Sequence, residues 1–315
     1  MTPVPLYLMS PPRRDWALRG RANFKSRHAA AVDASLAREE WSHLADQIVA
    51  AGGEVVVLPP GEKNLTGLLY TAEAGEYYRD SSSQGRYLLP SMAAPHRQQE
   101  AEHIKSFVEE KLRLPTTRVQ SVWEAQGDAI RIDENRIIHT YGLGPEGRTT
   151  KEAYREVAKL LSEEHLHLQF KAKPWFHGNT FLQIFRGLGS RKDKKVMLLC
   201  PDALGEGEYE RLRDFIVPLQ IEVVEITVEE SEGYDTNALQ VNNSVLAPES
   251  FSENARRAAE SLDLTVQTLP LGELFSKGGG APVCLTNRLW GLALEEIPGA
   301  HRWSLHPEIE AHTSF

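Results

Sequence analysis

The sequence predicts a mixed α/β fold in which five strand–strand–helix–strand units close into a ring with five-fold pseudosymmetry, an α/β propeller. The main observation is that this order of elements recurs five times along the 315 residues. A closed ring is favoured over an open array because no polar capping repeats are evident. The elements also alternate too quickly for a doubly wound sheet with long crossovers. No linker rich in Pro, Gly or Ser divides the chain, so we expect a single domain over residues 1–315.

The first two units follow from the spacing of their apolar residues. Trp41, Leu44 and Ile48 recur at helical spacing, as do Ile104 and Phe107, whereas the flanking apolar runs have the length of strands. The predicted elements are, in order, a strand at 4–9, a helix at 35–51, strands at 54–58, 67–72 and 86–89, a helix around 104–112 and a strand at 117–123.

The last three units repeat the same order. Residues 133–135 suit a short reversal and predict a hairpin. Thr149 and Glu152 have the spacing of a capping box and predict the start of a helix. The predicted elements are strands at 129–132 and 136–141, a helix from 149 and a strand at 166–170; strands at 180–185 and 196–200, a helix at 209–217 and a strand at 221–228; and strands at 238–241 and 244–247, a helix at 254–262 and a strand at 264–269.

The charge of the chain excludes some classes of partner. A net charge of −9 argues against nucleic acid as the main partner, because phosphate binding needs clustered Lys and Arg. We interpret the basic residues between 186 and 195 as a solvated hairpin. An acidic protein is compatible with a small cationic ligand.

The apolar pattern predicts a soluble, cytoplasmic protein with no membrane partner. The sequence has no run of 18 apolar residues and no hydrophobic signal region at its amino terminus. Its two cysteines, Cys200 and Cys284, are too few for a disulfide framework, and free thiols fit a reducing compartment. The sequence leaves open whether the protein forms a homo-oligomer.

Cys284 is a candidate nucleophile because it follows a turn of three glycines, residues 278–280. Backbone without Cβ atoms lets another group approach closely, and a thiol beside it is well placed for covalent chemistry. The alternative is that residues 283–285 form a core strand with Cys284 as a small buried hydrophobe. A catalytic cysteine needs a histidine and a carboxylate from elsewhere in the chain.

Candidate partners lie where one predicted unit passes into the next. They are Glu73 after an apolar strand end, Arg97 at a helix start, Glu124 and Asp128 around a glycine, and His177 and Asn179 between aromatics and a strand. Each has an ordinary structural alternative, since Glu73, Asp128 and Asn179 suit turns. His177 could be a packing residue and Arg97 part of a charged helix face.

In order and spacing these segments resemble the guanidino-group-modifying enzymes of the pentein fold, which include arginine deiminase, dimethylarginine dimethylaminohydrolase and the amidinotransferases. The resemblance covers nearly the whole chain. It is carried by Met9-Ser10-Pro11-Pro12, residues 70–75 against Phe-Thr-Ala-Asn-Ala-Gly, residues 97–100 against an arginine-rich helix start, residues 124–128 against Glu-Gly-x-Gly-Asp, His177, and residues 278–286 against the nucleophile segment. Such proteins are rings of five ββαβ units, in agreement with the repeat.

The resemblance implies a mechanism in which Cys284 attacks the guanidinium carbon and His177 first protonates the leaving amine and then accepts a proton from water. Glu124 is expected to hold the imidazole and one guanidinium N–H, and Glu73 another N–H. Arg97 is the candidate for a substrate carboxylate.

The remaining candidates contact the substrate less directly. Asn179 stands where relatives often have an aspartate that grips the guanidinium, and Glu73 stands where they have Asp or Asn. Asp80 and Asp128 are weaker candidates, either for a substrate amine or for loop structure. No cofactor and no metal are expected: His165 and His167 share one face of a strand, but no third ligand is in view.

Three alternatives bear on the reaction. If an amine instead of water resolves the covalent intermediate, the enzyme is an amidinotransferase; the compact chain, without an insertion to serve as a lid, favours a hydrolase. A non-catalytic binding protein on the same ring is a second alternative. A papain-like protease is disfavoured because its cysteine precedes its histidine, whereas here only three histidines of a short tail follow Cys284.

Overall fold

The computed structural model describes residues 3–19, 23–143 and 147–313 of the chain. Within those ranges the strands form five sheets of three strands each. Every sheet has the same plan, because its central strand has one antiparallel and one parallel neighbour. The repeat of five strand–strand–helix–strand units is therefore confirmed.

The elements follow the predicted order with small shifts at their ends. The first two units contain β1 (Leu6–Met9), α1 (Ala34–Ala50), β2 (Glu54–Val57), β3 (Glu76–Arg79), β4 (Gly85–Leu89), α2 (Glu100–Glu110) and β5 (Thr116–Arg118). The third and fourth contain β6 (Ala129–Asp133), β7 (Arg136–Leu143), α3 (Lys151–Val157), β8 (Glu164–Lys171), β9 (Leu182–Arg186), β10 (Lys195–Leu199), α4 (Glu208–Ile216) and β11 (Ile221–Glu225). The chain continues through α5 (Val228–Glu232), β12 (Leu239–Val241), β13 (Ser244–Pro248), α6 (Glu253–Glu260), β14 (Thr265–Leu269) and β15 (Asn287–Arg288).

The first sheet is completed by a strand from far along the chain. β1 pairs with β2 in parallel and with β15 in antiparallel orientation, so that Tyr7 lies opposite Arg288. The strand that fills the antiparallel position in this sheet thus comes directly after the Cys284 segment.

The chain divides into two compact units. The terminal unit comprises the described residues of Met1–Gln126 and Pro270–Phe315, and the central unit comprises those of Gly127–Leu269. Each has its own apolar core: Leu8, Val56, Tyr77, Tyr87 and Phe107 belong to the core of the terminal unit, and Ile138, Leu168, Phe185, Leu198 and Val245 to that of the central unit. A single domain over residues 1–315 remains a prediction.

Three sequence-based expectations about local structure are wrong. Residues 67–72, predicted as a strand, instead form a turn and the start of the 3₁₀ turn Thr71–Ala74, and the strand of this unit is β3. The predicted capping box at Thr149 is absent, because α3 has Thr150 as its N-cap and the hydroxyl of Thr149 donates to Asp128 instead. The alternative of a core strand at 283–285 is also wrong, since these residues form a turn.

Among the described residues, no helix has both the length and the apolar character that crossing a membrane requires.

Candidate active site

Cys284 lies in a tight turn of the terminal unit and is 3% exposed. The backbone N–H of Ala72 donates to the carbonyl of Cys284 at 3.1 Å. The hydroxyl of Thr71 donates to the carbonyl of Leu285 at 2.8 Å. These bonds fasten the cysteine turn to the 3₁₀ turn that carries Glu73, which fixes the thiol and this carboxylate in one local framework.

The glycines before Cys284 make room for Tyr70. A Cβ on Gly280 would lie 2.4 Å from Cε1 of the Tyr70 ring, and one on Gly278 would lie 2.3 Å from its hydroxyl. Burial raises the pKa of Tyr70 well above its usual value, and the nearby Cys284 adds to this rise. Its buried hydroxyl has no hydrogen-bond partner among the described residues. Tyr70 is thus a polar group beside the thiol to which the sequence pattern assigned no role.

A buried acidic cluster surrounds Arg97 in the same unit. Nη1 of Arg97 pairs with the carboxylate of Glu73, and Nη2 pairs with Glu100 at 2.7 Å. Burial alone would lower the pKa of Arg97, but the charges of Glu100, Glu73 and Glu124 hold it well above its usual value. Three carboxylates therefore lie close to a single guanidinium.

The guanidinium of Arg97, expected from the sequence to bind a substrate carboxylate, donates hydrogen bonds to acceptors within the protein. Nε donates to Glu100 at 3.0 Å, Nη1 to Glu73, and Nη2 to the carbonyl of Gly67 at 2.9 Å. All three guanidinium nitrogens thus donate within the protein, so most of the donor capacity of Arg97 is already used. The contact with Glu73 is compatible with a positioning role for Arg97, and its role toward a substrate carboxylate remains a prediction.

Glu124 is completely buried and is anchored by backbone. Its Oε1 accepts a hydrogen bond from the backbone N–H of Ala93 at 2.9 Å. Burial raises the pKa of Glu100, Arg97 opposes this rise, and the charges of Glu73 and Glu124 add to it. Glu124 therefore belongs to the same acidic cluster as Glu73 and Glu100.

Asp80 lies apart from this cluster, in the turn between β3 and β4. Its carboxylate accepts from the hydroxyl of Ser82 at 2.6 Å and from the backbone N–H of Gln84 at 3.1 Å. It also pairs with Arg86 at 2.6 Å. The hydrogen bond from Ser82 and the pairing with Arg86 lower the pKa of Asp80. These contacts stabilise the turn, which agrees with loop structure, one of the two roles considered for Asp80 from the sequence.

In the central unit, Asp128 shapes the backbone at His177. His177 is fully buried. Oδ1 of Asp128 accepts from the backbone N–H of Gly178 at 2.9 Å and from the hydroxyl of Thr140 at 2.7 Å, and Oδ2 accepts from Thr149 at 2.6 Å. Burial raises the pKa of Asp128, while His177 and these hydrogen bonds oppose the rise. Asp128 is thus an anchor for the histidine turn.

The imidazole of His177 packs against a glycine and an aromatic ring. A Cβ on Gly127 would lie 3.1 Å from Cγ of the histidine, so only a glycine allows this close approach without displacement. The ring of Phe176 lies 5.2 Å away between centroids. The imidazole of His177 is therefore held in place both by packing and by the hydrogen bonds of the neighbouring backbone.

Asn179 presents a buried amide without partners. Its side chain is 2% exposed, and neither Nδ2 nor Oδ1 has a hydrogen-bond partner among the described residues. Its backbone carbonyl, in contrast, accepts from Thr236 at 3.0 Å and Asn237 at 3.1 Å. Buried polar groups are rarely left unpaired, so this amide is suited to a ligand.

Two arginines near these segments were not among the candidates. Arg148 places its guanidinium 4.8 Å above the ring of Phe176 in the central unit. In the terminal unit, the guanidinium of Arg288 lies between the rings of Tyr7 and Trp290, at 4.8 and 5.0 Å. Sequence spacing alone could not single them out, because a stacked guanidinium is defined by tertiary contacts.

The comparisons with known proteins agree with this fold. The family model of N,N dimethylarginine dimethylhydrolase, eukaryotic, matches residues 21–290. No curated protein sequence matches the chain.

Solved structures share the fold at low sequence identity. The N-terminal domain of ArgZ, an arginine dihydrolase from cyanobacteria, bound to substrate as a mutant, has a TM-score of 0.77 at 21% identity and covers 90% of this chain and 98% of that one. AgrE with ornithine and NAD+ has a TM-score of 0.76 at 22% identity, over 93% of this chain and 40% of that one. A dimethylarginine dimethylaminohydrolase adduct with 4-chloro-2-hydroxymethylpyridine has a TM-score of 0.63 at 17% identity, over 90% and 99%.

These likenesses confirm the pentein fold class predicted from the repeat. The resemblance to guanidino-group-modifying enzymes is also confirmed, since the family match extends over most of the chain. Because the family model matches residues 21–290, more than half of the chain, the chain belongs to the N,N dimethylarginine dimethylhydrolase family.

Proposed function

We propose that this protein is a cysteine-dependent hydrolase that cleaves a carbon–nitrogen bond in the guanidino group of arginine or an arginine-like compound. The observation that carries the proposal is the fastening of the Cys284 turn to the turn of Glu73, beside a buried acidic cluster. A thiol nucleophile and carboxylate oxygens together suit a planar cation, because guanidinium N–H groups match carboxylates in pairs.

The reaction proceeds in two steps. A guanidinium carbon is a weak electrophile, since its charge is spread over three nitrogens, and attack needs a thiolate and tight orientation. Sγ of Cys284 bonds to this carbon, the carbon–nitrogen bond breaks, and the leaving amine takes a proton from His177. Water then attacks the amidino-thioether and gives a proton to His177, and the carbon–sulfur bond breaks to release product and thiolate.

Substrate recognition is assigned to carboxylates and one amide. Glu73 and Glu124 accept hydrogen bonds from the guanidinium, and Asn179 offers an amide whose two polar atoms are unpartnered among the described residues. For a substrate carboxylate we assign Arg148 in place of Arg97, because Arg97 already donates from all three nitrogens. Arg148 is followed by Thr149, which is bonded to the Asp128 anchor of the histidine turn.

A cytoplasmic location is part of the proposal. Both cysteines, Cys200 and Cys284, are buried thiols that do not form a disulfide. A thiol nucleophile needs a reducing compartment to stay reactive, which the cytoplasm provides.

The test is turnover of a panel of guanidino compounds: arginine, methylated arginines, agmatine and guanidino acids. Release of citrulline, urea, ammonia or amine is measured. We expect Cys284→Ser to lower kcat by roughly 10³-fold or more, because it removes the nucleophile. Cys200→Ser is the matched control, since Cys200 is also a buried thiol that does not form a disulfide, and it should keep its activity.

Two outcomes would overturn the assignment. Turnover that persists in Cys284→Ser contradicts the covalent mechanism. A product that forms only when glycine or lysine is added as acceptor identifies an amidinotransferase instead.

A further inference from the structure

Three histidines lie together on one face of a sheet of the central unit, and none of them is a residue of the proposed reaction. His139 is on β7, and His165 and His167 are on β8. The two strands pair in parallel with His139 directly opposite His167, while His165 is two residues earlier on the same face. The pairing register therefore supplies the third imidazole that was not in view in the sequence.

The ring nitrogens converge. One ligand nitrogen from each ring lies within 4.8 Å of the other two. Nε2 of His139 and Nδ1 of His165 are 2.7 Å apart and share a hydrogen bond. Zinc–nitrogen bonds of 2.0–2.1 Å at tetrahedral angles place ligand nitrogens about 3.3 Å apart. Small side-chain movements would therefore bring the three rings to ligand spacing.

Two other nitrogens of the cluster lack hydrogen bonds. Nδ1 of His139 and Nε2 of His167 are buried and have no partner among the described residues. His139 is completely buried. Such unpaired polar atoms are costly in a folded protein unless they have a ligand. The surrounding described residues thus leave two ring nitrogens of the cluster without a hydrogen bond.

Packing alone does not account for imidazoles at these positions. The opposite face of the same strands is aliphatic, with Ile138, Leu166 and Leu168 in the core. On the histidine face, Tyr154 of α3 stacks on His167 with ring centroids 4.8 Å apart. A face that only had to cover a helix would be expected to be apolar as well.

The charges around the cluster are mixed. Arg131, Lys151 and Arg211 lie near enough to disfavour protonated imidazoles, and Arg131 is paired with Glu163 at 2.5 Å. Burial lowers the pKa of His139 well below its usual value, and lowers that of His167 to about 4. It also lowers the pKa of His165. Burial thus disfavours a charge on each of the three rings.

We propose that His139, His165 and His167 bind a divalent transition metal, with zinc as the best match and water as the fourth ligand. Imidazole nitrogen is a preferred zinc ligand, and three protein ligands leave one position open. His165 and His167 are partly exposed, so solvent reaches this position. Binding replaces the hydrogen bond between His139 and His165, and the proton of that bond moves to the other nitrogen of its own ring, so that both ligands stay neutral. None of the three histidines has a role in the proposed hydrolysis. A failure of the metal proposal would therefore leave the proposed hydrolase activity untouched, and the reverse also holds.

The test is zinc titration of the metal-free full-length protein against a chromophoric chelator. All variants also carry Cys284→Ser, which removes the thiol as a competing ligand. We expect one equivalent of zinc to bind and to raise the melting temperature. His165→Gln and His167→Gln should each weaken binding by at least roughly tenfold, because each removes one of three ligands. His43→Gln is the control, since His43 is exposed on α1, and it should bind zinc as the parent does.

A second measurement does not depend on how the variants fold. Cobalt bound to the unmutated histidine site in the Cys284→Ser protein should give the visible absorption of a tetrahedral nitrogen site. Absence of zinc binding, equal binding by both histidine variants and the parent, or a cobalt spectrum without a tetrahedral band would each overturn the proposal.

Discussion

At the scale of single residues, the carboxylate of Glu73 owes its position to Arg97. The ion pair is almost completely excluded from solvent, with side-chain exposures of 7% for Arg97 and 4% for Glu73. A charge buried with its partner is strongly destabilised when that partner is removed. In the proposed reaction Arg97 therefore acts on the substrate through Glu73, and its loss should affect both stability and catalysis.

We predict that Arg97→Ala lowers the free energy of unfolding by about 3–5 kcal/mol, because it leaves Glu73 and Glu100 buried without their cation. Urea denaturation measures this loss. Arg86→Ala is the control, since Arg86 forms a more exposed pair with Asp80 and should lose much less.

The milder variant Arg97→Lys separates a positioning role from carboxylate binding. A positioning residue predicts the same fractional loss of kcat/KM with arginine and with agmatine, which lacks the carboxylate. A loss confined to arginine would restore the role expected from the sequence.

At the scale of elements, regular strands and helices were predictable, but tertiary turns were not. Short runs of apolar residues located both strands of the β13–β14 pair, which lie at Ser244–Pro248 and Thr265–Leu269. Thr71 instead has its hydroxyl bonded to the carbonyls of Leu8 and Leu285, which are distant in sequence. Thr149 likewise bonds to Asp128 in preference to capping its own helix. Such side-chain partners cannot be inferred from local spacing.

The same limit applied to the site. Cys284 and His177 could be singled out from residue type and motif order alone. The engagement of Arg97 and the third imidazole, His139, depended on which side chains the fold brings together.

For the glycine turn, we predict that Gly280→Ala lowers kcat/KM by at least about tenfold and stability by about 1–3 kcal/mol, because the new Cβ would overlap the Tyr70 ring. Steady-state kinetics and thermal melting measure the two effects. Gly272→Ala is the matched control in the same segment, where a Cβ would have only one contact, at 3.5 Å. Full activity in Gly280→Ala would show that the close approach to Tyr70 is dispensable.

The cap of α6 gives a prediction on pH. Asp235 accepts hydrogen bonds from the backbone and hydroxyl of Ser252, the N-cap of α6. Burial raises the pKa of Asp235 to about 6 from its ordinary 3.8. Between these values the folded state keeps a proton that the unfolded state has lost, so stability falls as pH rises through this window.

Asp235→Asn should therefore flatten the pH dependence of stability between about pH 4 and pH 6, by on the order of 1–3 kcal/mol. The free energy of unfolding by urea, measured at several pH values in both proteins, gives the difference. Parallel curves for the two proteins would contradict the assignment to Asp235.

At the scale of the whole molecule, the five sheets share one plan, yet the apolar residues form a separate core in each compact unit. The repeat was readable from the sequence because each sheet is built from nearby segments, with the exception of the first. The boundaries of the compact units could not be predicted, since no linker composition marks residues 126 or 269.

We predict one cooperative unfolding transition, as expected of a single domain. Five of the six tryptophans, all except Trp175, belong to the terminal unit, so their fluorescence reports mainly on that unit, whereas far-ultraviolet circular dichroism reports on both. Urea midpoints from the two signals should coincide. Two separate midpoints would mean that the compact units unfold independently.

The completion of the first sheet by β15 also has a consequence for synthesis. β1 leaves the ribosome long before its antiparallel partner, since Tyr7 pairs with Arg288. At a rate of synthesis of about 5–20 residues per second, one edge of β1 stays unpaired for roughly 15–60 seconds. An unpaired strand edge can pair with other chains during this time. The thiol of Cys284, four residues before Arg288, enters its folded surroundings only when this wait ends. A nascent chain therefore carries no assembled nucleophile for most of its translation.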